Sequence, residues 1–226
     1  MKLVNDAPHE PAATYAGRTK YDAPGRAARY ARRSARRDAE ERALLARVLP
    51  AAAAGATALD APCGVGRLAE FLLERGFAVR GADLSPAMRE GAEAALGPHP
   101  RWLGAEPRDL EAAPTATAAT YDLVLCFRFL HHLPDAAARA RVLRSLAARA
   151  RGPVIVSYHH PVSVHHVARA LRRLLTGRRG DRHALTTSRL AREAAACGLR
   201  LERAVGVAPY RRDLWVAVLT PVAAAR

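Results

Sequence analysis

From Thr57 onward the apolar positions fall into a repeating pattern. Short apolar runs end on a turn or acidic residue, and each is followed by a stretch with helical spacing. The pattern predicts strands at 57–61, 77–82, 101–104, 121–126 and 153–158, and helices at 66–75, 86–95 and 135–150. Strand and helix in alternation imply an α/β fold with a mostly parallel sheet and helices on both faces, because parallel neighbours need crossover connections. Ser85-Pro86 reads as a helix start, with Ser as N-cap and Pro at the first helical position.

The alternation fails at both ends. Residues 1–25 are rich in Pro, Gly, Asp and Thr and show no period, so an irregular arm is expected. Arg26 to about Leu49 reads as a helix with an apolar edge of Leu44, Leu45, Val48 and Leu49, its arginines on a solvated face paired with Glu40 and Glu41. After the fifth strand, residues 162–175 place Val164, Val167, Leu171 and Leu174 on one face of an extra amphipathic helix. Thr187 or Ser188 can cap a further helix that Gly198 ends. Two last runs, 199–207 and 213–219, are joined by the short linker "APYRR" and predict a hairpin, bringing the sheet to seven strands with an antiparallel C-terminal pair. The chain thus divides into an arm and helix at 1–55 and a main domain at 56–226, with an insertion at about 160–185. The two segments outside the alternating core are candidates for a cap over a site.

Composition narrows the setting. The N-terminus has no apolar signal core, and the longest apolar stretch is broken by Pro50 and Gly55, so neither secretion nor a membrane span is expected. Cys63, Cys126 and Cys197 form no C-x-x-C pattern, which argues against a disulfide framework or zinc and fits a reducing cytoplasm. The net charge is +15, which would ordinarily point to nucleic acid, yet of 36 basic residues only Lys2 and Lys20 are lysines. That arginine skew in an alanine-rich chain has the look of compositional bias. No basic stripe with interleaved aromatics accompanies it, so nucleic acid is not the favoured partner.

Candidate chemistry starts in "TALDAPCGVGR", residues 57–67. Gly64-Val65-Gly66-x-x-Ala69 fits a loose nucleotide-loop fingerprint, the second glycine letting backbone approach a ligand and Ala69 letting the helix pack on the strand. Asp83 ends the second strand, where a carboxylate can accept from both hydroxyls of a ribose. Asp60 ends the first. A carboxylate there repels a pyrophosphate and suits a ligand with an ammonium or sulfonium group.

Together "LDAPCGVGR", "GADLSPAM", "RDLEA" and "YDLVLCFRFLHHLPD" resemble, in order, the motifs of class I S-adenosylmethionine-dependent methyltransferases. The resemblance runs from about Thr57 to Ser157 and implies a Rossmann-like fold. It implies that Asp60, Ala61, Cys63, Gly64 and Gly66 line the methionine part of the cofactor, that Asp83 holds its ribose, and that Leu84 and Met88 pack on its adenine. Asp109 and the N–H of Leu110 would meet the adenine edge, although Asp109 also reads as an ordinary turn carboxylate. Cys126, Phe127 and Arg128 would lie near the sulfonium, with Cys126 given no catalytic role. The family usually has Gly where this chain has Pro62, which fixes φ and supplies no N–H.

Three His-His pairs, His131-His132, His159-His160 and His165-His166, lack carboxylate-histidine metal spacing, and no metal is expected. Ligands of open α/β sheets bind beyond the carboxyl ends of the strands. That places Tyr158, His159 and His160 at the right edge, with His159, then His131, the candidate bases for methyl transfer and Tyr158, His160 and Arg128 candidate acceptor contacts. Arginines at 169–182 read either as solvated surface or as recognition of an anionic acceptor. The leading expectation is methyl transfer from S-adenosylmethionine to a small-molecule acceptor. An RNA- or protein-modifying methyltransferase and a non-catalytic cofactor-binding scaffold remain the alternatives.

Overall fold

The computed structural model describes residues 35–113, 120–164, 183–208 and 212–222. The elements run α1 (Ala35–Ala46), β1 (Thr57–Asp60), α2 (Arg67–Glu74), β2 (Ala78–Asp83), α3 (Pro86–Leu96), β3 (Trp102–Pro107), β4 (Leu123–Cys126), a 3-10 turn (Leu130–His132), α4 (Ala136–Ala147), β5 (Val154–His159), α5 (Thr187–Ala195), β6 (Leu199–Gly206) and β7 (Leu214–Pro221). All seven expected strands form, in the spatial order β3-β2-β1-β4-β5-β7-β6. β1 pairs in parallel with β2 and β4, β5 extends the parallel set, and β7 inserts antiparallel between β5 and β6.

Side-chain alternation on the central strands supplies two cores. Leu59, Val124 and Val156 face Leu143 and Leu146 of α4 and Leu190 of α5. Ala58, Leu123, Leu125 and Ile155 face the other way, against Leu44 and Leu45 of α1 and Leu68 and Leu72 of α2. β4 is buried on both sides, so it reads as an unbroken apolar run. Each large side chain sealed there contributes roughly 1.5–3 kcal/mol of burial.

Sheet order reverses across β1, whose neighbours are β2 and β4. The chain leaves β1 and β4 toward opposite sides, and their carboxyl ends bound a crevice. Among the described residues no helix is long and apolar enough to cross a membrane.

Several expectations change in detail. β3 runs on to Pro107, and β5 takes in His159 as its last residue. The cap of α5 is Thr186, whose hydroxyl accepts from the Arg189 N–H, rather than Thr187 or Ser188. Ser85 precedes α3 as expected, but its hydroxyl makes no cap bond, and the Ser85 N–H donates to Asp83 Oδ1 instead (3.0 Å). On α1 the expected solvated pairing holds only for Glu40, which meets Arg36 and Arg212. Glu41 is buried at 1% exposure, and Arg42 ties α1 to Glu70 and Glu74 of α2. Residues 1–34 and the greater part of the expected cap helix, 165–175, lie outside the described residues.

Candidate active site

A cleft opens at the carboxyl ends of β1, β2 and β4. One wall is the loop after β1. Three of its backbone donors are taken by the protein: Ala61 N–H by Leu125 O, Cys63 N–H by Ala82 O, and Gly64 N–H by Asp83 Oδ2, each at 2.9 Å. Pro62, joined to Ala61 by a cis bond, has no N–H to offer. With Asp60 and Asp83 on this wall it carries acid groups where a phosphate-cradling loop would aim free N–H groups at an anion.

Asp60 sharpens that reading. It lines the cleft at 1% exposure, and neither carboxylate oxygen accepts a hydrogen bond of ordinary geometry. Burial pushes its acid pKa up to about 8, with Asp83 adding to the rise and Arg67 and the Ala69 N–H opposing it. A buried carboxylate left in this state is a receptor for a ligand's cation or donor. Asp83 is already oriented, Oδ2 accepting the Gly64 N–H and Oδ1 the Ser85 N–H. Around them Leu84 and Met88 supply apolar surface, and Asp109, whose Oδ1 accepts the Glu111 N–H in a local turn, borders the cleft with Leu110.

Of the residues expected here from sequence, Asp60, Cys63, Gly64, Asp83, Leu84, Met88, Asp109, Leu110, Phe127 and Arg128 line the cleft. Ala61 and Cys126 are buried behind it. Burial also raises both thiols, Cys63 and Cys126, far above the ordinary cysteine range, which makes them inert packing groups. Gly66 is not on the wall either. Its φ of 83° and the 2.7 Å from an added Cβ to Leu96 Cδ1 show a glycine kept for the turn and for α3 packing.

The facing wall was largely hidden in the sequence. Arg67 and Arg128 both reach the buried Glu41: Arg67 Nη2 donates to Oε2 (2.6 Å) and Arg128 Nε to Oε1 (2.7 Å). Arg67 also pairs with Asp38. Arg128 has φ 56°, uncommon for a residue with a Cβ, and its N–H donates to Ser157 Oγ (2.5 Å). The only hint of Arg67 was its place directly after Gly66.

The histidines are redistributed. His159 is 3% exposed, bonded through Nδ1 to Asp213, and does not line the cleft, because β5 carries it into register with Leu214. His131 is equally buried beside it. Tyr158 is fully buried, its hydroxyl bonded to Thr187 Oγ1 (2.7 Å), and His160 stacks on Trp215 with Nδ1 accepting the Val162 N–H. Among the described residues the histidine that does line the cleft is His132, which sequence spacing could not separate from its neighbour; the pair His165-His166 lies outside the described residues. Among the described residues no group of histidine, cysteine and acid side chains is arranged to hold a metal.

Known proteins carry the same architecture. The magnesium protoporphyrin IX methyltransferase of Synechocystis, solved with S-adenosylhomocysteine, superposes with a TM-score of 0.72 at 19% identity over 91% of this chain and 98% of that one. A methyltransferase from Mesorhizobium loti gives 0.62 at 22% identity over 80% and 97%. Ubiquinone biosynthesis O-methyltransferases are similar over a shorter stretch: that of Nitrosomonas europaea is 35% identical over 81 residues, 36% of this chain and 34% of that protein. That of Paraburkholderia xenovorans is 36% identical over 96 residues, 41% and 40%. This chain thus spans between a third and two fifths of these curated relatives. A family model described as a methyltransferase domain matches residues 29–204, the greater part of the chain. With the successive class I motifs in place on this sheet, the chain belongs to that family of S-adenosylmethionine-dependent methyltransferases.

Proposed function

We propose that this protein binds S-adenosylmethionine in the cleft and transfers its methyl group to a small-molecule acceptor. The observation that carries the reading is the pair of strand-end acids, Asp60 buried with no hydrogen bond of ordinary geometry and Asp83 already aimed by Gly64 and Ser85. Asp60 would take the ammonium of the amino-acid end, with Cys63 and Gly64 beside it. Asp83 would take the ribose hydroxyls, Leu84 and Met88 the adenine faces, and Asp109 with Leu110 its edge. The cofactor supplies an electrophilic methyl on a sulfonium. The chain's part is to hold the acceptor in line and to exclude water, an arrangement worth ~7–11 kcal/mol where alignment is good.

Arg67 and Arg128 stand on the cleft wall with their charges met by Asp38 and Glu41, and their planar guanidinium forks would suit an acceptor bearing a carboxylate or phosphate. The arm and helix at 1–55 and the segment at 160–185 would complete the acceptor cap. Three free cysteines, all buried, fit a reducing cytoplasmic setting. Thermal unfolding tests the cofactor assignment. S-adenosylhomocysteine should raise the melting temperature in a concentration-dependent way while NAD does not; the opposite pattern would sink it.

A further inference from the structure

Four side chains from three parts of the fold form a contiguous, mostly buried row that reaches the cleft through His132. His132 stands on its wall at the end of the 3-10 turn. The His131 ring lies 4.1 Å from the His132 ring, centroid to centroid, and 4.3 Å from the His159 ring, which it meets edge to face at 82°. Behind them His159 Nδ1 is bonded to the carboxylate of Asp213, which leads into β7. Both inner rings are 3% exposed, and Asp213 is 7% exposed. Main-chain bonds fix the stack from outside: His183 N–H donates to His131 O and Leu185 N–H to His159 O, both 2.8 Å, and His160 N–H donates to Asp213 O (2.7 Å).

The arrangement has the parts of an oriented base. A carboxylate anchors the innermost imidazole, that ring meets the next edge to face, and the outermost, in contact with the second, lines the cavity where an acceptor would lie. Burying a His-Asp pair costs desolvation, and apolar side chains of like volume would pack the same space without it.

We propose that His132 is the proton acceptor for a hydroxyl-bearing acceptor molecule, and that Asp213, His159 and His131 position its ring. This rests on the methyltransferase reading above. The balance is simple. The acceptor O–H gives its proton to neutral His132 while its oxygen gains the methyl, the broken C–S bond leaves its electron pair on sulfur, and the imidazolium then loses the proton to solvent. A phenolic hydroxyl, ionising near pH 10, needs such help at neutral pH. The groups that bear on His132 are His131 in its own turn, His159 with Asp213 behind, Arg128 at the end of β4, and Asp60, Asp83 and Asp109 across the cleft.

The test uses the full chain, S-adenosylmethionine, catechol as hydroxyl probe and benzylamine as amine probe. It is read together with imidazole NMR titration and melting temperature with S-adenosylhomocysteine. Catechol should be methylated at a rate that rises with pH and levels once one imidazole is neutral, and the His132 signals should titrate over the same pH range. His132→Asn should lower turnover about 100-fold or more and leave the ligand-induced rise in melting temperature intact, with His132→Gln as a second variant should Asn impair folding. Asp213→Asn should shift the His132 NMR midpoint and the pH profile at unchanged KM, and Asp213→Glu should restore both. Undiminished turnover in the His132 variants overturns the base, and an unmoved His132 midpoint in Asp213→Asn overturns the positioning role. Methylation of benzylamine alone, or of neither probe while S-adenosylhomocysteine still stabilises, overturns the hydroxyl acceptor but leaves the cofactor reading standing. Absence of any stabilisation removes that reading itself.

Discussion

Asp83 accepts the Gly64 N–H through Oδ2 at 2.9 Å, so the acid at the end of β2 also holds the loop that follows β1. One carboxylate thus shapes the wall, and in the proposed binding mode it would also receive the ribose.

Asp83→Ala should therefore cost more than a lost ligand contact. Hydrogen bonds to a charged group are worth about 1.5–3 kcal/mol each, and two are removed along with the loop's anchor. S-adenosylhomocysteine affinity, measured by calorimetry, should fall about 100-fold or more. Unchanged affinity would mean that the ribose does not lie at β2.

Asp60 makes binding and stability depend on pH. Burial holds its folded-state pKa at about 8, against an unfolded value of 3.8. Between those values the folded chain binds more protons than the unfolded one, so the contribution of Asp60 is fully present below about pH 4 and is lost as pH rises toward 8. Asp60→Asn should flatten this slope, and urea unfolding at pH 5.5 and pH 8 should show the variant gaining on the native chain at the higher pH. An ammonium-bearing ligand favours the ionised acid. Binding of S-adenosylhomocysteine at pH 7 should release a proton, seen as a dependence of binding enthalpy on buffer ionisation, and Asp60→Asn should abolish the release.

Gly66 separates a packing role from a binding one. Gly66→Ala would put a side chain at φ 83° and its Cβ 2.7 Å from Leu96 Cδ1, at the far end of a side chain that can shift. The backbone conformation is the larger cost, about 1–2 kcal/mol. Lower stability with near-native ligand affinity is expected. Lost affinity at native stability would show that the second glycine meets the ligand after all.

The sheet was legible because each strand's apolar run and each helix's period carry their own signal, as in the wholly buried β4. Asp60 and Asp83 were legible because strand ends fix where their carboxylates stand. Glu41 was not. A glutamate among arginines on a helix reads as solvated until the fold lays that helix over Arg67 and Arg128, and no local pattern announces a contact made 87 residues away. His131 and His132 were inseparable for a similar reason, since adjacent residues diverge and only the 3-10 turn decides which one faces the cleft.

Glu41 yields the sharpest test of what α1 does. Its carboxylate, 1% exposed, is shared by two guanidinium groups on the cleft wall, and Asp38 takes a further contact from Arg67. Truncating one member of a buried ionic network leaves the others uncompensated, typically at 3–5 kcal/mol. Glu41→Ala should therefore lower unfolding stability by about that much in urea, whereas Arg36→Ala, removing an 84% exposed partner of Glu40, should change it by less than about 1 kcal/mol. Glu41→Gln keeps the shape and removes the charge, leaving Arg67 with Asp38 and Arg128 without that charged partner, one net positive charge more on the wall. If α1 is part of the acceptor site, that variant should bind small carboxylates such as benzoate more tightly than the native chain at equal ionic strength. Equal benzoate affinity would restrict Glu41 to holding the helix.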